Sequence, residues 1–317
     1  MDLKHLGEFA LIERISKQFS APQGVTGIGD DCAVIPQRDG QSTLISTDML
    51  VEGTHFLKES IPPYSLGWKS AAVNLSDIAA MGGKAVGTVL ALALPPELDG
   101  EWVEQFIRGY KELSDQCGAP LLGGDTTSSA DRINICVTAI GECPSGEEIR
   151  RDGALPGDLV CVTGPLGDSA AGLRLILEGG SLSPDEGALV QKHYHPRPRL
   201  EEGRIIARAG ASAMMDISDG IGSDLRHILE RSGTGAIIDC KAIPLSGEMI
   251  KVAGRRGWDP ESLAIDGGED YELLFTIAPQ AQKALTLPHF VIGRISGEPE
   301  LIWEGSEDPE HHGYRHF

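Results

Sequence analysis

The longest apolar run in the chain, Val86-Gly87-Thr88-Val89-Leu90-Ala91-Leu92-Ala93-Leu94, is shut off by Pro95-Pro96. It is too short to cross a bilayer and reads as a strand buried inside a layered protein. Its neighbours tighten the constraint. Residues Tyr64 to Met81 read as a helix of mostly small apolar side chains, ended by Gly82-Gly83. Trp102 to Cys117 carries the spacing of an amphipathic helix, and strands are expected from Ser42 to Val51 and from Ile133 to Ile140. Together these make one α/β unit. An earlier helix is expected from Leu6 to Phe19, before the break at Pro22 and Gly24.

The segment from Glu142 to Pro156 is rich in Gly, Pro and charge, and reads as a boundary between domains 1–145 and 146–317. Past it come a strand from Asp158 to Thr163, a turn from Gly164 to Ser169 and a helix from Ala170 to Leu177. Helices are expected near Arg199 to Ala209 and up to Leu229. Strands are expected at Ala236–Ile238, Tyr271–Ile277 and Phe290–Ile295.

A formal net charge of −20 repels the phosphates of nucleic acids and anionic lipids, which disfavours nonspecific binding to either. The six cysteines form no Cys-x-x-Cys pair and mostly sit in apolar runs, so they read as reduced core thiols. Met1-Asp2-Leu3-Lys4-His5 lacks the basic-then-apolar pattern of a secretory signal, and a cytoplasmic location is expected. Several familiar chemistries drop out. There is no Gly-x-x-x-x-Gly-Lys-Ser/Thr, no complete Gly-x-Gly-x-x-Gly, no His-Glu-x-x-His and no Gly-x-Ser-x-Gly.

What remains is a series of aspartate-bearing polar turns. They are Gly29-Asp30-Asp31, Ser46-Thr47-Asp48, Gly123-Gly124-Asp125-Thr126-Thr127, Asp216-Ile217-Ser218-Asp219-Gly220 and Gly267-Gly268-Glu269-Asp270. Asp77 adds a carboxylate on the small-residue helix, where Ser70, Asn74 and Asp77 form a polar stripe at i, i+4 and i+7. Each turn alone is ordinary. Ligand sites in α/β sheets gather at strand ends, however, and oxygen ligands without His or Cys suit a hard cation, Mg²⁺ before Ca²⁺. Such cations bridge carboxylates to phosphates, so metal-assisted phosphoryl chemistry stands beside a generic acidic α/β protein.

Taken together in this order, these motifs, with Asn74-Leu75-Ser76-Asp77-Ile78-Ala79-Ala80-Met81-Gly82 and Gly268-Glu269-Asp270-Tyr271-Glu272-Leu273, resemble the thiamine-monophosphate kinase family. The resemblance implies a two-domain α/β (α+β) fold of the aminoimidazole ribonucleotide synthetase type, dimerising through strands of its N-terminal domain. It implies phosphorylation of thiamine monophosphate by ATP with several Mg²⁺ ions, in a cytoplasmic homodimer without nucleic-acid or membrane partners. Asp30, Ser46, Thr47, Asp48, Asp77, Asp125, Asp216 and Asp219 would hold the metals. Tyr110, Gly124, Asp125, Arg151 and Ser218 would meet ATP, and the sequence does not choose between Arg150 and Arg151. His55, Glu269 and Tyr314 would meet the substrate, Tyr314 standing where the family usually has Trp. No general base is expected. Two rival classes are a relative acting on another acceptor with ATP, and a metal-binding scaffold without activity.

Overall fold

The structure is a computed structural model and describes residues 8–19, 21–306, 311, 313 and 314. The first helix is described from Glu8 to Ser16; the start expected at Leu6 lies outside the described residues. A first sheet is built from β1 (Ala33–Pro36), β2 (Gln41–Val51), β3 (Lys84–Leu94), β4 (Leu121–Ser128) and β5 (Asn134–Pro144), in the order β1-β2-β5-β3-β4. Its one parallel pair is β3 with β4, and the Gly100–Cys117 helix supplies the crossover that a parallel pair requires.

A second sheet holds β6 (Leu159–Val162), β7 (Ala213–Asp216), β8 (Gly235–Asp239), β9 (Leu273–Ile277), β10 (Phe290–Ser296) and β11 (Leu301–Glu304), in the order β11-β8-β10-β6-β9-β7. Covered on both faces, β9 is buried at every residue. The first sheet is covered on one face only. β3 therefore alternates, with Leu90 5% exposed and Val86 38%, where the sequence read a strand buried throughout.

The expected turn at Gly123–Thr127 is also corrected. Those residues are part of β4, an edge strand exposed along its whole length, so no apolar alternation betrays it. Helices at Pro184–Tyr194, Gly247–Arg256 and Pro260–Asp266 escaped the sequence reading. The first of them carries a capping box, Ser183 with Glu186, which is a legible start signal.

The Pro63–Ala80 helix organises both halves. Its Leu66, Ala72 and Val73 pack with Leu90, Ile135 and Val137 of the first sheet. Its Ala79 and Ala80 pack with Met214, Leu273 and Phe275 of the second. A helix clasped on all sides has little room for bulk, which explains its small residues. Where it meets the Gly100–Cys117 helix, a Cβ on Gly109 would stand 1.8 Å from the carbonyl oxygen of Tyr64. Gly109→Ala must push the helices apart, and about 1–3 kcal/mol or more of stability should be lost. Urea unfolding reads it, and an unchanged midpoint would show that the helix pair yields freely.

Candidate functional site

The polar turns converge on a cavity of about 1270 Å³ that is lined from both sheets and from the central helix. Asp30 and Asp31 divide their work. Asp30 Oδ1 accepts the backbone N–H of Arg151 at 2.8 Å, while its Oδ2 is buried without a hydrogen-bond partner among the described residues. Asp31, with a side chain only 1% exposed, takes the Arg151 guanidinium through Nη2 at 2.7 Å and Nε at 3.3 Å. Oxygens of Asp31, Asp77 and Asp216 lie within 4.8 Å of one another. Arg151, not Arg150, faces this cluster; Arg150 pairs with Asp152.

Crowding like charges away from water raises their pKa values. Burial lifts Asp216 to about 7, with Asp31 adding to the rise, and lifts Asp30 to about 6 against the N–H from Arg151. Asp77 goes well above the carboxylate range, from burial first and then from Asp48, Asp216 and Asp31. Asp48 is raised as well, by protein mass around it although its residue surface opens on the cleft.

Strand periodicity sorts β2. Ser46 and Asp48 face the central helix, where the Ser46 hydroxyl donates to Asp77 Oδ2 and the Asp48 N–H donates to Asn74 Oδ1 at 3.0 Å. Thr47 points the other way, donating to the Val137 carbonyl at 3.1 Å. Its hydroxyl is thus separated from the aspartates it was grouped with. On the central helix, Lys69, Val73 and Asp77 line the cleft at i, i+4 and i+8. Ser70 instead bonds back to the Leu66 carbonyl, and Asn74 holds β2.

Ser218 and Asp219 line the cavity on a turn whose two N–H groups both donate to buried Asp224, at 3.1 and 3.2 Å. Tyr314, 49% exposed at the rim, donates its N–H to the Asp219 carbonyl at 2.9 Å. His55 accepts the Val51 N–H on Nδ1 at 3.0 Å, which puts its proton on Nε2. Glu269 lines the same cavity with φ +65°, a strained backbone for a residue with a side chain. Its N–H is tied to the Ser218 carbonyl at 2.7 Å. Burial pushes its carboxyl up, but buried Lys69 at 2.8 Å outweighs that and brings it below the usual value.

Three expected residues stand elsewhere. Tyr110 is buried in the first core with its hydroxyl on Thr88 at 2.7 Å, so the structure gives it no place on the cleft wall. Gly124 and Asp125 lie on β4, outside the lining residues. A Cβ on Gly124 would meet the Leu90 carbonyl oxygen at 1.8 Å, so close strand approach accounts for that glycine. The turn Gly164–Ser169 opens a helix whose N-terminus is already filled, because Asp270 accepts from Gly167 N at 2.6 Å and Ser169 N at 3.2 Å. Lys69, His193, Asp224, His227 and Arg231 are cleft or cleft-supporting residues that the sequence did not reveal. The one available signal is that Lys69 is the single basic side chain of the Pro63–Ala80 helix.

The donor set fits hard cations: oxygen ligands only, a buried carboxylate oxygen left unpaired, and aspartates whose mutual repulsion calls for positive charge. Family models described as AIR synthase related protein, N-terminal and C-terminal domains, match residues 29–143 and 156–302. The chain is 41% identical to thiamine-monophosphate kinase of Salmonella typhimurium over 93% of its own length and 92% of the relative's. It is 39% identical to the Aquifex aeolicus kinase across the full length of both. A solved structure described as AaThiL complexed with AMPPCP and TMP superimposes with a TM-score of 0.93 at 38% identity, covering 100% of this chain and 99% of that one. A hydrogenase maturation protein in complex with ATP, 17% identical with a TM-score of 0.67, shares the fold.

Proposed function

The chain belongs to the thiamine-monophosphate kinase family of AIR synthase related proteins, and on that premise we propose that it phosphorylates thiamine monophosphate with ATP, giving thiamine diphosphate and ADP. The observation that carries this reading is one cavity holding both the Asp31–Asp77–Asp216 cluster and the polar wall of His55, Glu269 and Tyr314. The attacking group is an oxygen of the substrate's own phosphate, whose second pKa near 6 leaves it ionised at neutral pH. No base is then required. The buried cleft histidines agree with this, since burial drops both His193 and His227 to about 4 and makes them weak bases.

Mg²⁺ held by Asp30, Asp48, Asp77, Asp216 and Asp219, with Ser46 and the Thr47 backbone beside them, would neutralise the phosphate charge and align transfer. Arg151 is fixed by Asp31 and presents its guanidinium at the cleft beside Ser218, suited to ATP. Tyr314 offers an aromatic face to a cationic thiazolium, weaker than that of Trp. A division of the chain near residue 145 and a homodimer formed through the open face of the first sheet belong to the same reading. Exposed Met49, Leu121 and Leu122 on that sheet support the dimer. Gly124 and Asp125 would reach ATP only at such an interface. No described helix is long and apolar enough to cross a membrane, and a cytoplasmic place is part of the proposal.

Incubation with ATP, Mg²⁺ and thiamine monophosphate should yield thiamine diphosphate, read by chromatography, and should yield none in EDTA. ATP hydrolysis without that product would assign a different acceptor. Neither signal would leave a metal-binding scaffold.

A further inference from the structure

Lys69 is buried to 1% on a helix that clasps both sheets, and the phosphoryl chemistry described above has no use for it. A buried ammonium persists only when paired. Its Nζ lies 2.8 Å from Glu269 Oε1 and 3.3 Å from His193 Nε2. Lysine carries only donors, so that His193 nitrogen accepts, and the imidazole proton sits on Nδ1. Nδ1 faces Ser169 Oγ at 3.0 Å and Glu269 Oε2 at 3.5 Å. Lys69 thus holds one Glu269 oxygen directly, while neutral His193, on another helix, fixes the ammonium and stands 3.5 Å from the second oxygen. The Glu269 backbone cannot drift, being tied to Ser218. What is left of the side chain, 27% exposed, opens on the cavity.

Resting on the kinase reading, we propose that Lys69 and His193 are positioning residues that hold Glu269 ionised and fixed in rotamer, so that it receives the N–H donors and positive charge of the substrate's heteroaromatic part. Lys69 and Asp77 are eight residues apart on one helix face, about 12 Å at the α-helical rise. That spacing separates a ring-binding end from a phosphate end in one molecule. The charge of Lys69 is taken up by Glu269, so this lysine is not a phosphate ligand. Val73 lies between the two and keeps the middle of the wall apolar.

Steady-state kinetics on the full-length protein test this. Lys69→Met should raise KM for thiamine monophosphate by about tenfold to a hundredfold, with kcat and KM for ATP moving less than about threefold. His193→Leu should raise the same KM by about tenfold. His193→Gln, whose amide can accept from Lys69 and donate to Ser169, should restore it. If Lys69→Met fails to fold, the loss in His193→Leu and its rescue in His193→Gln carry the test, and a His193→Leu variant with unchanged KM for thiamine monophosphate overturns the proposal. Equal changes in kcat and both KM values, or no change in folded variants, would reduce the triad to a structural ion pair and overturn the proposal. A wild-type protein that forms no thiamine diphosphate fails the kinase reading and takes this inference with it. An active wild type with the wrong variant pattern fails the inference alone.

Discussion

Asp77→Asn is expected to lower kcat about a thousandfold or more, since charge neutralisation at the phosphates is the main work of such a site. Asp48→Asn should follow it. Folding should survive, because an asparagine oxygen can still accept the Ser46 hydroxyl, an amide can still pair with Asp48, and the bonds to the carbonyl of this position, from Cys32 Sγ–H and Met81 N–H, belong to the backbone. In the absence of cations the variant should in fact be the more stable protein. Asp77 is raised well above its ordinary value by burial and by Asp48, Asp216 and Asp31, so its negative charge works against folding. A mutation that abolishes turnover while raising the melting temperature in EDTA would be hard to explain by damage. Unchanged activity in both variants would sink the cation assignment.

The second large effect is a dependence of stability on pH that cations cancel. Asp216 is held at about 7 and Asp30 at about 6, against an ordinary value of 3.8. Between those values the folded chain binds more protons than the unfolded one, so stability falls as pH rises. The stabilisation is complete below pH 4 and is lost as pH passes through 6 and 7. For buried Asp216 alone the loss is on the order of 4 kcal/mol. Buried Asp77, Asp224 and Asp270 lean the same way. The thermal midpoint in EDTA should therefore drop by about 10 °C between pH 5 and pH 8. Millimolar Mg²⁺ should recover most of the drop at pH 8 and little at pH 5, where protons already occupy the carboxyls. A flat profile in EDTA, followed by circular dichroism, would show that the cluster carries no such strain.

The aspartate-bearing turns are legible in the sequence as a set, and Asp30, Asp31, Asp48, Asp77, Asp216 and Asp219 do line one cavity, but the turns alone leave a generic acidic protein open and only the resemblance chooses among them. What lies beside them is harder to read. In the sequence Asp31 is one more aspartate in a glycine turn, yet it seats Arg151, a relation between residues 120 positions apart that no local pattern encodes. Thr47 was grouped with its neighbours along the chain, although the period of two in a strand already assigned it to the opposite face. On the central helix the stripe through Ser70 and Asn74 attracted notice, but packing turned those groups inward and gave the cleft to Lys69 and Val73. The Gly123–Thr127 part of β4 reads as a turn because exposure on an edge strand erases the alternation by which strands are recognised.

The Asp31–Asp77–Asp216 cluster draws on a loop, a helix and a strand that lie far apart in sequence. Such an arrangement closes only once both sheets are formed, so it contributes little at the folding barrier. A cation bound there acts on the native side of that barrier. It slows the escape from the folded state and leaves the rate of arrival nearly untouched. Ions that serve the proposed chemistry would thus also set the protein's lifetime, and their withdrawal would shorten it without altering how readily the chain refolds.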